Sequence, residues 1–370
     1  MIANPDNLFN DKENNRFDYK YEEYKEVKKI TAKKKYTVLE TFAGAGGLAL
    51  GLEKAGFSTV GAIELDKHAS QTLRDNRPDW NVVEGDIRDI VKDGIRKYIT
   101  VDNLDVLSGG YPCQSFSYAG KREGFSDTRG TLFYPYSQIL CELKPKIFIA
   151  ENVKGLVNHD EGRTLETMIE VFEKNGYKVH WNVINSWNYD VAQKRERIVI
   201  IGIRKDLVKK EKRPFYYPKS QLYKPVLRDV LKNVPDSSGI DYSEKKRKVI
   251  ELVPAGGSWI NLPEEIAKEY MGASWLSGGG KRGMARRLSW DEPSLTLTTS
   301  PSQKQTERAH PDETRPFKTR EYARIQSFPD EWSFSGSTSS IYKQIGNAVP
   351  VNLAEYIGKS VIDYLNQFEN

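Results

Sequence analysis

Between residues 36 and 204, short apolar runs alternate with amphipathic stretches. The runs are YTVLETF (36–42), TVGAIEL (59–65), NVVEG (81–85), LDVLSGG (104–110), PKIFIAEN (145–152), YKVHWNVIN (177–185) and RERIVIIGIR (195–204). Near-continuous apolar runs of this length suit strands buried on both faces, and the stretches between them suit crossover helices. The pattern predicts an open, doubly wound α/β sheet of seven strands, Rossmann-like in form.

The alternation stops near residue 205. Residues 205–318 are irregular, with scattered prolines, the run SGGGKRG (277–283) and the Thr/Ser-rich LTLTTSPS. This stretch carries 22 Lys and Arg against 15 Asp and Glu, a net +7 in a chain whose total is +5. It reads as a second, smaller domain that meets a polyanion, or else as a solvated lysine-rich surface. Beyond it, KTREYARIQSFPDEW (318–332) reads as a helix ending at Phe328-Pro329, and residues 344–368 as a turn entering a long amphipathic helix. Residues 1–35 are polar and read as an accessory or partly disordered arm.

Composition narrows the class. No stretch approaches the ~20 apolar residues of a membrane span. The first residues, MIANPDNLFNDKENN, lack an apolar signal segment, so a cytoplasmic protein is expected. Two cysteines argue against a disulfide framework, and four histidines (His68, His159, His180, His310) show no metal-ligand spacing. Cys141, inside SQILCEL, is expected to be a small core residue.

The first strand runs into Phe42-Ala-Gly44-Ala-Gly46-Gly47, where glycines permit a sharp turn and the next helix offers free N–H groups to a ligand. Glu64 ends the second strand, 20 residues beyond Gly44, and suits ribose hydroxyls; Asp86, after the third, suits an adenine amino group. This much fits a nicotinamide dinucleotide as well as any other nucleoside ligand. Cys113 follows the fourth strand in GGYPCQSFSYAG, on a small, hydroxyl-rich loop at the carboxyl edge where open sheets bind ligands. Glu151 ends the fifth strand at the same edge, and alternation sets Gln193, Arg195 and Arg197 on one face near the seventh. A thiol, a carboxylic acid and guanidinium groups beside a nucleoside suit nucleophilic attack on a weakly electrophilic ring, and hydride transfer has no use for them.

These segments resemble the DNA (cytosine-5)-methyltransferases, in particular the bacterial type II restriction–modification methylases. FAGAGG, GDI, PCQSFS, ENV, QKRER, REYARIQSFP and GNAVP occur in that family's order, from about residue 36 to 359. The resemblance implies S-adenosyl-L-methionine as cofactor, leaving as S-adenosyl-L-homocysteine. Its site would be lined by Phe42, Gly44, Gly46, Gly47, Glu64, Asp86, Ile87, Pro112, Leu132, Asn347 and Val349. It implies a catalytic domain of residues 36–204 plus 319–370, with GNAVP returning to the first glycine loop, and a target-recognition domain at 205–318. Double-stranded DNA is the expected partner, bound by a monomer that serves alongside a cognate restriction endonuclease in bacterial cytoplasm.

The mechanism so implied has the Cys113 thiolate attack carbon 6 of a cytosine turned out of the duplex. Glu151 protonates N3, while Arg195 and Arg197 hold O2 and orient Glu151, with Gln193 beside them. Residues 117–131 are expected to form a lid, with Ser117, Arg122 and Arg129 at the DNA. Base contacts are expected among Lys281, Arg282, Arg286, Arg287, Gln303, Gln305 and Arg308, since Arg and Gln bond base edges bidentately. Three rivals stand beside this reading: a tRNA cytosine methyltransferase of the same fold, a silent DNA-binding relative, and a nicotinamide oxidoreductase.

Overall fold

The computed structural model describes residues 16–112, 131–276 and 283–369. The predicted strands form one sheet: β1 (Tyr36–Thr41), β2 (Phe57–Glu64), β3 (Val82–Glu84), β4 (Val106–Gly109), β5 (Ile147–Val153), β6 (Tyr177–Asn185) and β7 (Glu196–Arg204). Their order is β3-β2-β1-β4-β5-β7-β6; the first five run parallel, and β7 lies antiparallel between β5 and β6. Helices α1 (Gly47–Ala55), α2 (Lys67–Asn76), α3 (Ile87–Asp93), α4 (Phe133–Leu143) and α5 (Arg163–Lys174) connect the strands.

Alternation along each strand divides the core in two. Leu39, Leu107, Phe148, Ile198 and Ile200 face the side packed by α3, α4 and α5. Their neighbours Val38, Val106, Ile149, Val199 and Ile201 face α1 and the C-terminal helix. Burial on both faces is why these runs show little polar alternation in sequence.

Two helices of residues 205–318 stand on a core of their own: α6 (Glu244–Glu251) and α7 (Glu264–Met271) enclose Tyr242, Ile250, Val253 and Leu262. Phe215 and Tyr217 instead pack into the sheet's core, and Leu227 and Leu231 join the cluster around Trp332, so the separate core begins later than residue 205. The chain closes with α8 (Thr319–Ile325), α9 (Thr338–Asn347) and α10 (Val351–Leu365).

The α1–α10 crossing is backbone-close. A Cβ on Gly47 would stand 2.2 Å from the carbonyl oxygen of Val349, and one on Gly51 would stand 2.3 Å from Cβ of Ala354. Small residues on both helices permit this approach, which brings the GNAVP segment back against the first glycine loop.

Two expectations are corrected. Residues 16–35 are packed: the N–H of Tyr21 bonds the carbonyl of Trp181 on edge strand β6 (2.9 Å), Tyr24–Lys25 pairs with Tyr217–Pro218, and Val27 is buried. Covering the edge strand removes its unpaired backbone groups from water. Residues 1–15 lie outside the described residues. Cys141 is exposed, because the buried stripe of α4 runs through Tyr136, Ile139, Leu140 and Leu143 and turns Cys141 outward. Among the described residues no helix is long and apolar enough to cross a membrane, and no group of His, Cys, Asp and Glu is placed to hold a metal.

Candidate active site

The carboxyl ends of β1, β2, β4 and β5 converge on one edge. At the end of β1, Phe42 and Gly44 both take left-handed backbone (φ 54°), turning the chain sharply into α1. That turn aims the N–H of Gly44 at Oε2 of Glu64 (2.7 Å), while the N–H of Asp66 bonds Oε1 (2.7 Å). Burial pushes the Glu64 carboxyl up, and the two N–H groups oppose it. Each oxygen keeps a further lone pair for a hydroxyl donor. Beside it Leu65 is 66% exposed, an apolar side chain in water at the mouth of the site. Sequence reading passed over Leu65; its signal is an apolar residue directly after a strand-ending carboxylate.

Asp86 caps α3 by accepting from the N–H of Arg88 (2.9 Å), and the Arg88 guanidinium holds its carboxyl below the ordinary range. Ile87 is buried, Leu132 half-buried, Pro112 exposed and Val349 buried; Asn347 ends α9 with its side chain exposed. Phe42 and Phe133 both lie against Tyr111, with ring centres 6.5 and 5.4 Å away. Asn152, another residue missed in the sequence, donates from Nδ2 to the carbonyl of Tyr111 (2.8 Å) and so pins the chain two residues before Cys113. Cys113, Ser117, Arg122 and Arg129 lie outside the described residues, as do Lys281 and Arg282 and all but Thr131 of the expected lid.

Glu151 leans on the same edge with its side chain 13% exposed, and its Oε1 is 2.9 Å from Nε of Arg197. Gly110 makes this possible, since a Cβ there would stand 2.9 Å from Glu151 Oε2. Burial raises the Glu151 pKa, and Arg197 and then Arg195 pull it back without cancelling the rise. One pleat deeper on the same face, Glu40 is wholly buried and accepts a hydrogen bond from the Ser108 hydroxyl. Burial pushes its carboxyl up to about 8, and the charge of Glu151 adds to the rise.

Gln193 and Arg195 sit differently from expectation. Arg195 is 2% exposed and donates to the carbonyls of Leu297 (3.1 Å) and Gly346 (2.9 Å), which leaves Nε as its donor without a partner. Gln193, also buried, bonds Gln326 and the N–H of Leu297. Both are turned into the junction between segments, so of the three residues only Arg197 pairs with Glu151.

The recognition candidates divide too. Arg287 is buried and bonds four carbonyls and a hydroxyl, of Val253, His310, Glu313, Ile250 and Thr314. Arg308 is buried against the carbonyls of Glu307 and Thr296, and Arg286 is held by Glu292 and the carbonyls of Gly256 and Gly257. These three arginines build the domain, correcting their expected role at bases. Gln303 and Gln305 are exposed on a turn with Lys304. Below that turn the buried Glu307 accepts from Tyr242 (2.9 Å) and Tyr270 (3.3 Å) and pairs with Lys246 (2.5 Å).

The arrangement offers an acid whose pKa burial raises, a guanidinium paired with it, and a second, half-buried carboxylate, Glu64, at the turn that opens α1. Comparison with known proteins agrees. The family model for C-5 cytosine-specific DNA methylases matches residues 36–363. The chain is 69% identical to the type II methyltransferase M.Sau96I of Staphylococcus aureus, over 96% of this chain and 82% of that one. It is 54% identical to M.Eco47II of Escherichia coli, over 90% and 80%. A solved E. coli prophage protein described as a DNA modification methyltransferase superposes with a TM-score of 0.64 at 25% identity, covering 90% of this chain and 99% of that one. The S. pombe Dnmt2 methyltransferase shares the fold at 17% identity, with a TM-score of 0.61 over 90% and 100%. The chain belongs to the C-5 cytosine-specific DNA methylases and, among them, to the type II methyltransferases.

Proposed function

We propose that this DNA cytosine-5 methyltransferase uses S-adenosylmethionine to methylate a cytosine turned out of a short, specific duplex sequence, through a transient bond from Cys113 to carbon 6. The observation that carries the reading is the Glu151–Arg197 pair (2.9 Å), set on the same sheet edge as the Gly44–Glu64 contact (2.7 Å).

The residues present fit the cofactor. Glu64 suits ribose hydroxyls, exposed Leu65 suits one face of the adenine, and Val349 borders the glycine loop at Gly47, with Asn347 two residues before it. Bound S-adenosylmethionine would supply the methyl group that carbon 5 takes up. The chain's own residues do the rest. Glu151 enters protonated and gives its proton to N3 as the Cys113 thiolate adds to carbon 6, so the electron pair from the ring double bond gathers at carbon 5. Arg197 orients Glu151 and stabilises the charge that develops on the ring. Loss of the carbon 5 proton to water and return of the N3 proton to Glu151 then restore the ring double bond as the Cys113 thiolate leaves.

We assign residues 205–318 to target recognition, with the exposed Gln303 and Gln305 at base edges. Ser117, Arg122, Arg129, Lys281 and Arg282 are assigned to the DNA as well. The names of the relatives support service in a restriction–modification system, where the chain would act as a monomer in bacterial cytoplasm and protect DNA from a cognate endonuclease.

The test uses methyl-labelled S-adenosylmethionine with mixed-sequence DNA, and tRNA in a parallel reaction. Label is expected in DNA as 5-methylcytosine and absent with Cys113→Ser. Label confined to tRNA would overturn the DNA assignment, and label in neither would overturn the activity.

A further inference from the structure

The peptide of Leu297 is held at both ends by side chains from the catalytic domain. Its N–H donates to Oε1 of Gln193 (2.9 Å), and its carbonyl accepts from Nη1 of Arg195 (3.1 Å). The same two side chains reach the segment that presents Asn347. Nη2 of Arg195 donates to the carbonyl of Gly346 (2.9 Å). Nε2 of Gln193 donates to Gln326 (2.8 Å), whose own Nε2 bonds the carbonyls of Ile345 (2.7 Å) and Ala348 (3.1 Å). Backbones close the ring: a Cβ on Gly346 would stand 2.3 Å from the carbonyl oxygen of Thr298.

Three properties set this network apart from packing alone. First, Gln193, Arg195 and Gln326 are all buried, so a movement that broke one bond would strand a polar group away from water. The network therefore moves as a unit or not at all. Second, its ends reach two exposed segments to which the proposed function gives roles. Six residues beyond Leu297 stands Gln303 on the exposed turn, braced by Thr298 and Thr306 (3.4 Å apart). At the other end lies Asn347, exposed at the end of α9, which the proposed function sets beside the cofactor. Third, Arg195 directly precedes β7, whose Arg197 pairs with Glu151.

We propose that Gln193 and Arg195 are positioning residues that couple reading of the DNA sequence to the hold on the cofactor, through their common grip on the Leu297 peptide. The inference rests on the proposed function. Cognate DNA engaging the 298–306 turn fixes Leu297, and through the two side chains fixes the Ile345–Ala348 backbone that carries Asn347. By linkage the effect is reciprocal, so cofactor tightens cognate DNA binding by the same factor.

The test measures the affinity of S-adenosylhomocysteine by calorimetry, without DNA and with a duplex carrying the sequence this enzyme methylates. For the native chain we expect the duplex to tighten the cofactor by at least about fivefold. Arg195→Lys can reach one carbonyl and not both, so in that variant the ratio should fall to within about twofold of one. Gln193→Met should act likewise. A purely structural role would lower the melting temperature and weaken both affinities together, leaving the ratio intact.

A native ratio of one in an enzyme that methylates DNA would overturn the coupling while sparing the function, as would a folded Arg195→Lys that keeps the native ratio. Should neither variant fold, Thr296→Val decides, because it removes only the bond from Thr296 Oγ1 to the Lys194 carbonyl (2.9 Å) in the same junction. A partial fall in its ratio supports the coupling, and an unchanged ratio overturns it.

Discussion

Glu151 and Arg197 meet across two antiparallel strands, with a carboxylate oxygen 2.9 Å from Nε of the guanidinium, at the place where Gly110 leaves room for the acid. Burial favours the protonated acid and the arginine favours the anion, so the proton available for transfer reflects a contest between them.

The pH dependence of kcat/KM should show that contest. An acid must be protonated to donate, so activity falls as pH rises through the Glu151 pKa. Replacing Arg197 by Met removes the charge that lowers this pKa, so the falling limb should move to higher pH even as the maximal rate drops. Glu151→Gln should cost about 10²–10⁴ in rate with folding retained. A limb that stayed in place or moved to lower pH in Arg197→Met would contradict the assignment of Glu151 as the acid.

Glu40 makes a separate prediction, about stability. Its carboxyl is held at about 8 in the folded chain against 4.5 ordinarily, so the folded state holds a proton that the unfolded state has lost. That contribution is complete below pH 4.5 and is lost as pH climbs through about 8. Glu40→Gln keeps an acceptor for Ser108 without a charge. It should therefore melt a few degrees above the native chain at pH 8.5, with the difference shrinking towards pH 4.5. Thermal melts at the two pH values check it.

Gly51 should tolerate no side chain. A Cβ there meets the carbonyl oxygen of Val351 at 2.4 Å as well as Cβ of Ala354, and backbone cannot give way as a flexible side chain does. Gly51→Ala is expected to cost about 1–3 kcal/mol of stability. It should also weaken S-adenosylhomocysteine binding, because lifting α10 lifts Val349 from the glycine loop. Calorimetric titration beside a denaturant melt would detect both.

Arg287 and Gln305 should fail in opposite ways. Arg287→Ala strands several buried carbonyls and should lower the melting temperature sharply, without changing which sites are methylated. Gln305→Ala should leave the melt unchanged and relax the preference at one base pair by about 1–3 kcal/mol. Sequencing the methylated positions in random DNA reads the second effect, and an unchanged site would remove Gln305 from the base-reading set.

The sheet was legible because both faces of its strands are covered, which leaves runs such as IVIIGI free of polar interruption. Glu64 and Glu151 were legible for a related reason: a carboxylate ending an apolar run has nowhere to go but the sheet's edge. What the sequence concealed was partnership at a distance. Arg195 and Arg197 alternate identically along the chain, yet one faces an acid and the other two carbonyls, and the difference is made by Leu297 and Gly346, 102 and 151 residues away. Arg287 looked like a base reader for the same reason, since its composition is that of a DNA-binding arginine and only the fold reveals five internal acceptors. Residues 16–35 read as an arm because much of their hold is backbone pairing, to Trp181 of β6 and to Tyr217–Pro218, which polar composition does not advertise.

The crossing of α1 and α10 also sets a timetable. A chain emerging from the ribosome presents the glycine face of α1 early, but the helix that covers it follows only at Val351–Leu365. Until Val351–Leu365 appear, one side of the sheet stands open to water and the wall beside the glycine loop is missing. Chains that stop short of Val351–Leu365 are thus expected to hold no cofactor and to leave DNA unmarked.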